Sequence, residues 1–252
     1  MSKTILLNQD WIFSKDGHDE TVTLPHTWNA VDGQDGGNDY YRGTCHYTKT
    51  LTAPEVPAGG RAVLQFDGVA MTAVVSLNGE KLAEHKGGYS TFRVDITDAL
   101  RPSNNILTVT VDNSDNDTVY PQKADFTFYG GIYRDVTLHI VPAAHFALAA
   151  NGAVPVKVTP IVTDLAARRC EVTVEAFVTG AQSVTFTLDG QQTTAAVENG
   201  TAKAVFTLEH ARLWDGLDDP YLYTVTAQLE NGESETARFG CRKFEIDPQK
   251  GF

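Results

Sequence analysis

Residues 125–136 read Asp-Phe-Thr-Phe-Tyr-Gly-Gly-Ile-Tyr-Arg-Asp-Val, and apolar and polar side chains then alternate from Val136 to Ile140. The alternation predicts a strand with one buried face and one wet face. The acids, aromatic rings and paired glycines before it predict a loop at the rim of a sheet. Its aromatic faces and its Asp125 carboxylate suit a polyhydroxylated ligand, because carboxylate oxygens accept hydrogen bonds from hydroxyl groups.

The same period of two recurs in several other stretches, including residues 107–112 and 223–229. Strands of this kind are typical of antiparallel sandwiches. No long segment has helical periodicity, and short helical turns are expected only near Ile96–Leu100 and Glu209–Leu213. We therefore predict an all-β fold.

Turn signals separate the alternating stretches. Asn78-Gly79 predicts a type I′ hairpin turn, in which both central residues take a positive φ. Similar pairs punctuate the second half of the chain at Asp189-Gly190, Asn199-Gly200 and Asn231-Gly232. The double glycine Gly87-Gly88 predicts a bend or a bulge.

A domain boundary is expected between Pro142 and Val154, where an alanine-rich stretch follows the strand that begins at Val136. The predicted domains are residues 1–143 and 144–252. The first has the length of a large β-sandwich. The second, with several short strands, suits an immunoglobulin-like sandwich.

The chain has 252 residues, of which 42% are hydrophobic and 21% charged, and its net charge is -12. These proportions are typical of a soluble globular protein. The negative charge argues against nucleic-acid binding, which needs clustered Lys and Arg, and against an anionic membrane surface. The N-terminal apolar run is too short for a signal peptide, and no stretch is long enough to span a bilayer. We therefore expect a cytoplasmic location.

Three cysteines, Cys45, Cys170 and Cys241, are far apart and lack the spacing of a zinc site. Free buried thiols in a reducing compartment fit this pattern best. A disulfide between Cys170 and Cys241, as in antibody domains, is the alternative.

Two loops are candidates for ligand contact. Asp125 lies outside the regular alternation, where a carboxylate either points at a ligand or caps a turn. Residues 32–39, Asp-Gly-Gln-Asp-Gly-Gly-Asn-Asp, suit a solvated loop, a substrate-facing loop or a calcium site. The fixed ligand positions and final glutamate of an EF-hand loop are absent.

Four other polar or aromatic side chains are given structural roles. Trp28 is expected to bury its ring and to find a partner for its indole N–H. His26 beside it is interpreted as structural. We expect Arg42 to pair with an acid or stack on an aromatic ring, and an inward-facing Arg134 to need an acid partner.

Taken together, these segments resemble glycoside hydrolase family 2, the β-galactosidases and β-glucuronidases. The resemblance covers essentially the whole chain. It rests on residues 24–29, 40–43, 63–79, 87–97, 125–136, 213–215, 219–223 and 239–242. In that family a jelly-roll sugar-binding domain precedes an immunoglobulin-like domain and a TIM barrel. The resemblance thus implies the first two of these folds here.

The family's catalytic acid/base and nucleophile are two carboxylates at the mouth of the barrel. Because the chain matches only the first two domains, we expect no catalytic residue in it and no cofactor in this segment. The expected partner is a C-terminal TIM barrel of the same parent chain. The parent enzyme is expected to hydrolyse β-galactosides. A β-glucuronidase parent and an autonomous carbohydrate-binding module are the alternatives.

The resemblance also implies a role for the loops. In β-galactosidases an aspartate of the first domain contacts the sugar and a nearby sodium ion, and Asp125 matches that position. Asn38, in the glycine-rich loop, is the second candidate for substrate binding. The sodium, or a magnesium, is expected only in the full-length parent, with no metal site in this segment.

Overall fold

A computed structural model describes residues 1–32, 40–120, 127–148, 154–249 and 251. After Met1, the described chain divides into two compact units, Ser2–Pro142 and the residues from Ala143 onward. We call them the N-terminal and C-terminal units. Strands dominate both, and the described helical structure is a single 3₁₀ turn, Thr97–Ala99. The all-β prediction is confirmed.

The N-terminal unit contains ten strands in two antiparallel sheets. The strands are β1 (Lys3–Leu6), β2 (Trp11–Lys15), β3 (His18–Val22), β4 (Thr44–Leu51), β5 (Arg61–Phe66), β6 (Thr72–Leu77), β7 (Glu80–Lys86), β8 (Phe92–Asp95), β9 (Asn105–Asp112) and β10 (Val136–Val141). One sheet has the order β1-β10-β5-β8, and the other has the order β3-β2-β4-β9-β6-β7.

The period of two explains how these sheets pack. In β9, the central strand between β4 and β6, Leu107, Val109 and Val111 are fully buried, and the residues between them are only partly buried. On the opposite sheet Leu138 and Ile140 of β10 enter the same core. Each sheet thus contributes one apolar face, and burial of those faces is the main stabilising term of the unit.

The C-terminal unit contains eight strands. They are β11 (His145–Phe146), β12 (Val156–Asp164), β13 (Arg169–Thr179), β14 (Ser183–Leu188), β15 (Gln191–Glu198), β16 (Thr201–Leu208), β17 (Tyr223–Leu229) and β18 (Ser234–Phe239). Their order is β11-β13-β16-β15-β14-β17-β18, with β12 also on β13. Because β12 and β18 contact each other from far ends of this order, the sheet folds back on itself as a sandwich.

The hairpin turns follow the glycine pairs, with one exception. Asn78 and Gly79 have φ of 55° and 86°, as a type I′ turn requires, and the Asp189-Gly190 and Asn199-Gly200 pairs have the same signs. In Asn231-Gly232 only the glycine has a positive φ. There Leu229 N donates to Glu233 O at 2.8 Å and closes a longer loop.

Of the two expected helical turns, one forms. Residues 97–99 are a 3₁₀ turn, but residues 209–213 are not helical. His210 has a φ of 56°, which breaks a right-handed helix at its second residue. The short helical turn considered near Glu209–Leu213 therefore does not form.

The three cysteines are free and buried. The disulfide alternative for Cys170 and Cys241 is therefore not found. No helix in the described part of the chain has both the length and the apolar character needed to cross a bilayer.

Candidate functional site

Two fully buried amides join distant parts of the N-terminal unit. Asn29 and Asn113 are both 0% exposed, and Asn113 Nδ2 donates to Asn29 Oδ1 at 3.2 Å. Asn29 lies in the turn formed by residues 28–32, and Asn113 directly follows β9. Buried amides need most of their hydrogen bonds filled, and the remaining partners of this pair show what it holds.

Asn29 fixes the base of the glycine-rich loop. Its Nδ2 donates to Asp32 Oδ2 at 2.6 Å and to Tyr41 O at 2.8 Å. Tyr41 N also donates to Asp32 Oδ2, at 3.0 Å. The described ends of the loop are thus closed around one carboxylate, and Asp32 has a structural role.

Asn113 and Asn29 also fix the residues 127–135, which we call the aromatic segment. Asn113 Nδ2 donates to Phe128 O at 2.9 Å, and Gly130 N donates to Asn29 Oδ1 at 2.7 Å. Tyr40 adds a hydroxyl bond to the same Phe128 carbonyl. The amide pair therefore holds the base of one loop and the start of the other in a fixed relation.

The paired glycines are required by close packing. A Cβ on Gly130 would lie 2.0 Å from Trp28 Cζ2, and one on Gly131 would lie 2.4 Å from His26 O. Gly131 also has a φ of 134°, which side-chain-bearing residues rarely adopt. It exchanges two backbone hydrogen bonds with Ala70, at 3.0 and 3.2 Å. Because these two glycines have no side chain, the aromatic segment packs directly against Trp28 and the backbone of His26.

Trp28 differs from the prediction. Its ring is buried as expected, at 7% exposure. Within the described part of the chain, however, its Nε1 has no hydrogen-bond partner. The ring packs against Phe13 and the backbone of Gly130, which supply apolar contact but no acceptor at the indole nitrogen.

His26 is held by packing and by one hydroxyl. Its Nδ1 lies 2.7 Å from Tyr47 Oη, and its ring packs on Phe13. Burial lowers the pKa of His26, partly offset by Glu20. Burial raises the pKa of Tyr47. These contacts support the structural interpretation of His26.

The two arginines also have structural contacts. Arg42 pairs with Asp115, and its guanidinium lies 5.0 Å from the centre of the Phe128 ring, so both expected contacts are present. Arg134 is exposed, not inward-facing, and its Nη1 donates to Asp67 O at 3.3 Å. Arg134 precedes β10 and reaches backbone carbonyls at the surface, so the acid partner that an inward arginine would need is not required.

A cavity of about 650 Å³ lies beside the aromatic segment. Its floor is a small apolar cluster of Ala70, Met71 and Val119, all less than 8% exposed. Its walls are five aromatic rings, those of Tyr89, Tyr120, Phe128, Tyr129 and Tyr133. The volume falls within the range of small-molecule pockets.

The described lining of this cavity carries no charged side chain. Tyr133 donates its hydroxyl to Gly88 O, and Thr27 Oγ1 donates to Gly130 O at 2.7 Å. Burial raises the pKa of Tyr133, partly offset by Arg134. The described lining thus offers apolar faces and few groups that can transfer a proton.

Both predicted site residues, Asp125 and Asn38, lie outside the described residues. The chain on either side of Asp125 is described, and Tyr120 and Thr127 both line the cavity. The described residues contain no group of three or more His, Cys, Asp or Glu that could hold a metal ion.

Sequence reasoning missed the cavity floor and one wall. Met71 lies in the stretch 63–79 that carries the family resemblance, but neither it nor Val119 was given a role. Tyr89 follows the double glycine Gly87-Gly88, which was interpreted only as a bend. The available signal was a tyrosine directly after two glycines, since an aromatic ring in a loop is well placed to face a ligand. In the structure the Tyr89 ring is 56% exposed.

Two family models match successive parts of the chain. The family model described as glycosyl hydrolases family 2, sugar binding domain, matches residues 3–142. A second model, described as glycosyl hydrolases family 2, matches residues 134–242. The two matches follow one another in the order of the two structural units.

Individual relatives carry two different activity names. A β-glucuronidase of Bacteroides fragilis is 33% identical over 98% of this chain and 39% of its own length. A β-galactosidase of Thermoanaerobacter pseudethanolicus is 35% identical over 50% of this chain and 18% of its own length. This chain thus spans about two fifths of the length of the first relative.

A solved structure of a β-glucuronidase also matches nearly the whole chain. The crystal structure of an FMN-binding β-glucuronidase from Faecalibacterium prausnitzii L2-6 superposes with a TM-score of 0.86 at 39% sequence identity. The match covers 98% of this chain and 40% of that one.

Proposed function

Because this chain belongs to glycosyl hydrolase family 2, we propose that it forms the non-catalytic N-terminal part of a retaining β-glycosidase. Such an enzyme cleaves the glycosidic bond with two carboxylates, one acting as acid and base and the other as nucleophile. In this proposal both belong to a TIM barrel of the same parent chain. The support is that the chain matches two family domains and spans only part of its relatives.

The observation that carries the proposal is that two successive family models match a chain that spans only 39% of the length of its β-glucuronidase relative. The described lining of the cavity has no carboxylate. A glycosidase site needs a carboxylate pair about 5 Å apart to act with retention. A cavity with apolar and aromatic walls shapes and shields a substrate instead. The N-terminal unit therefore supplies a wall of the substrate pocket, and the C-terminal unit supports and spaces it.

We take β-glucuronides as the first substrate class to test and β-galactosides as the second. The B. fragilis relative that matches nearly the whole chain is named a β-glucuronidase, and the β-galactosidase match covers half of it. The test is turnover of 4-nitrophenyl β-glucuronide and β-galactoside by the full-length parent. A parent that hydrolyses neither glycoside contradicts this function.

The 252-residue chain alone is expected to hydrolyse neither substrate. Measurable turnover by the pure chain would show that catalytic carboxylates lie within it. Titration calorimetry with glucuronic acid and galactose tests the alternative, an autonomous carbohydrate-binding module. Sugar affinity of the isolated chain at submillimolar concentration favours that alternative, whereas the proposed function expects very weak binding or none.

For the loop residues, we propose that Asp125 contacts the sugar and that Asn38 assists it. The support is the sequence position of Asp125, between two residues that line the cavity, Tyr120 and Thr127. Asp125→Ala in the full-length enzyme is expected to lower kcat/KM by about tenfold to a hundredfold, the loss of one or two charge-assisted hydrogen bonds. Asp98→Ala, an exposed acid of the same unit, is the control.

A further inference from the structure

The described lining of the cavity in the N-terminal unit suits a ligand that is less polar than a sugar. Its floor, Ala70, Met71 and Val119, is apolar and nearly inaccessible to water. A sugar hydroxyl that lost its water on this floor would find no polar side chain there to replace the lost hydrogen bond. An uncompensated loss of that kind opposes binding at each hydroxyl.

The walls favour a planar apolar ring. Tyr89, Tyr120 and Tyr129 are 56%, 86% and 45% exposed, which is unusual for rings that border a single concave surface. Aromatic pairs gain contact area and a favourable quadrupole interaction when they stack or meet edge to face. A ligand ring that packs against any of these tyrosines removes apolar surface from water on both partners.

The surrounding contacts hold the Tyr133 ring and the backbone of Tyr89 and Phe128 in place before any ligand arrives. Tyr133 is tied to Gly88 by its hydroxyl, and Arg134 Nη1 donates to Tyr89 O at 3.4 Å. The Phe128 carbonyl accepts from Asn113 Nδ2 at 2.9 Å. Walls that are already ordered lose little conformational entropy on binding, which favours small ligands.

We propose that this cavity binds planar aromatic rings and receives the aromatic leaving group of an aryl glycoside. The second half of the proposal rests on the proposed function, and the first half does not. The volume of about 650 Å³ is ample for one or two fused rings. Sugar recognition then falls to groups outside the described lining, such as the Asp125 proposed above, and the described lining selects the aglycone.

The direct test is ligand-observed NMR titration of the 252-residue chain with 4-methylumbelliferone and with 4-nitrophenol. Both are expected to bind with Kd on the order of 1 mM, as befits such small ligands. Tyr120→Ala and Tyr129→Ala should each weaken binding by about threefold to tenfold. Because both rings are substantially exposed, these variants are expected to keep the melting temperature of the parent chain.

Phe244→Ala removes a ring of similar exposure, 59%, from the C-terminal unit and is the matched control. Unchanged affinity in this variant supports the assignment to the cavity. No binding of either phenol at 10-fold above the expected Kd, or equal binding by all variants, overturns the proposal. Galactose that binds as tightly as the phenols overturns it as well, because the cavity would then not select apolar rings.

The aglycone role is tested separately in the full-length enzyme. Tyr129→Ala should raise KM for the 4-nitrophenyl glycoside by about threefold to tenfold and leave KM for the methyl glycoside unchanged. If the chain binds phenols but the enzyme hydrolyses no glycoside, the proposed function fails and the ring site stands. If the full-length enzyme hydrolyses the glycosides but binds neither phenol, the cavity is closed to ligands in that enzyme. The aglycone role then fails.

Discussion

Asn113 Nδ2 donates to Asn29 Oδ1 across 3.2 Å, between two side chains that are 84 positions apart and wholly buried. Through Asn29 the pair holds Asp32 and Tyr41 at the base of the glycine-rich loop. Through Asn113 it holds Phe128 at the start of the aromatic segment. One hydrogen-bonded pair therefore links the two loops that carry the predicted substrate contacts.

Asn113→Ala is expected to lower the free energy of unfolding of the N-terminal unit by about 3 kcal/mol. The change leaves the Gly43 N–H without its acceptor, at a cost of about 1–3 kcal/mol. It also removes one of two donors from the Phe128 carbonyl and from Asn29 Oδ1. The loss of unfolding free energy is measured by urea titration, with tryptophan fluorescence as the signal of unfolding.

The matched control is Asn116→Ala. Asn116 accepts only local hydrogen bonds, from the backbone and hydroxyl of Thr118, so a change below about 1 kcal/mol is expected. Equal unfolding midpoints for the Asn113 and Asn116 variants would show that the amide pair is not a stabilising link.

Gly130→Ala should displace Trp28. A Cβ placed 2.0 Å from Cζ2 has to move the indole ring, and overpacking of this kind costs about 1–3 kcal/mol. Near-UV circular dichroism reports the changed environment of the ring. Gly88→Ala is the comparison, since its Cβ would meet Ala70 Cβ at an ordinary 3.4 Å. A Gly130→Ala protein with the spectrum and stability of Gly88→Ala would contradict the packing seen here.

The strands and turns were predictable because they depend on local rules. The buried positions of β9 and β10 are those with apolar residues at every second place, and Asn78-Gly79 adopts the φ signs that its residue types favour. The family resemblance is confirmed too, because its motifs are spread over most of the chain.

The site was only partly predictable, because its contacts join residues that are far apart in sequence. No local pattern connects Asn29 with Asn113, or the floor residue Met71 with Tyr120. The Trp28 indole was assigned a partner on the general rule for buried tryptophan, whereas its neighbours Phe13 and Gly130 are apolar at that position. Long-range packing of this kind leaves no period in the sequence.

The three thiols should resist modification in the folded chain. Burial raises the pKa of Cys45 to about 11 and that of Cys241 to about 12, and burial also raises the pKa of Cys170. Since the thiolate is the reactive form, Ellman's reagent at pH 8 should find no accessible thiol within minutes and three after unfolding in urea. Cys45→Ser should lower the final count to two. Rapid reaction of the native chain would contradict the burial of these groups.

The N-terminal unit should lose stability as the pH falls from 7.5 to 5.5. Burial lowers the pKa of His26, His85 and His139 below their ordinary value of 6.5. Between 6.5 and these lowered values the unfolded chain binds more protons than the folded chain, so stability decreases as pH falls through this window. Once the pH is below the pKa values of these histidines in the folded unit, no further stability is lost, and stability no longer changes with pH.

The expected change is a fall in melting temperature of a few degrees, on the order of 2–4 °C for each kcal/mol lost. His139→Gln should reduce the slope by roughly a third, because it removes one of three such groups. The glutamine can still reach Gln65, whose Oε1 lies 3.2 Å from His139 Nε2. His18→Gln, at an exposed hairpin position, is the control. A melting temperature that stays constant or rises over this range would show that these histidines carry their protons in the folded unit.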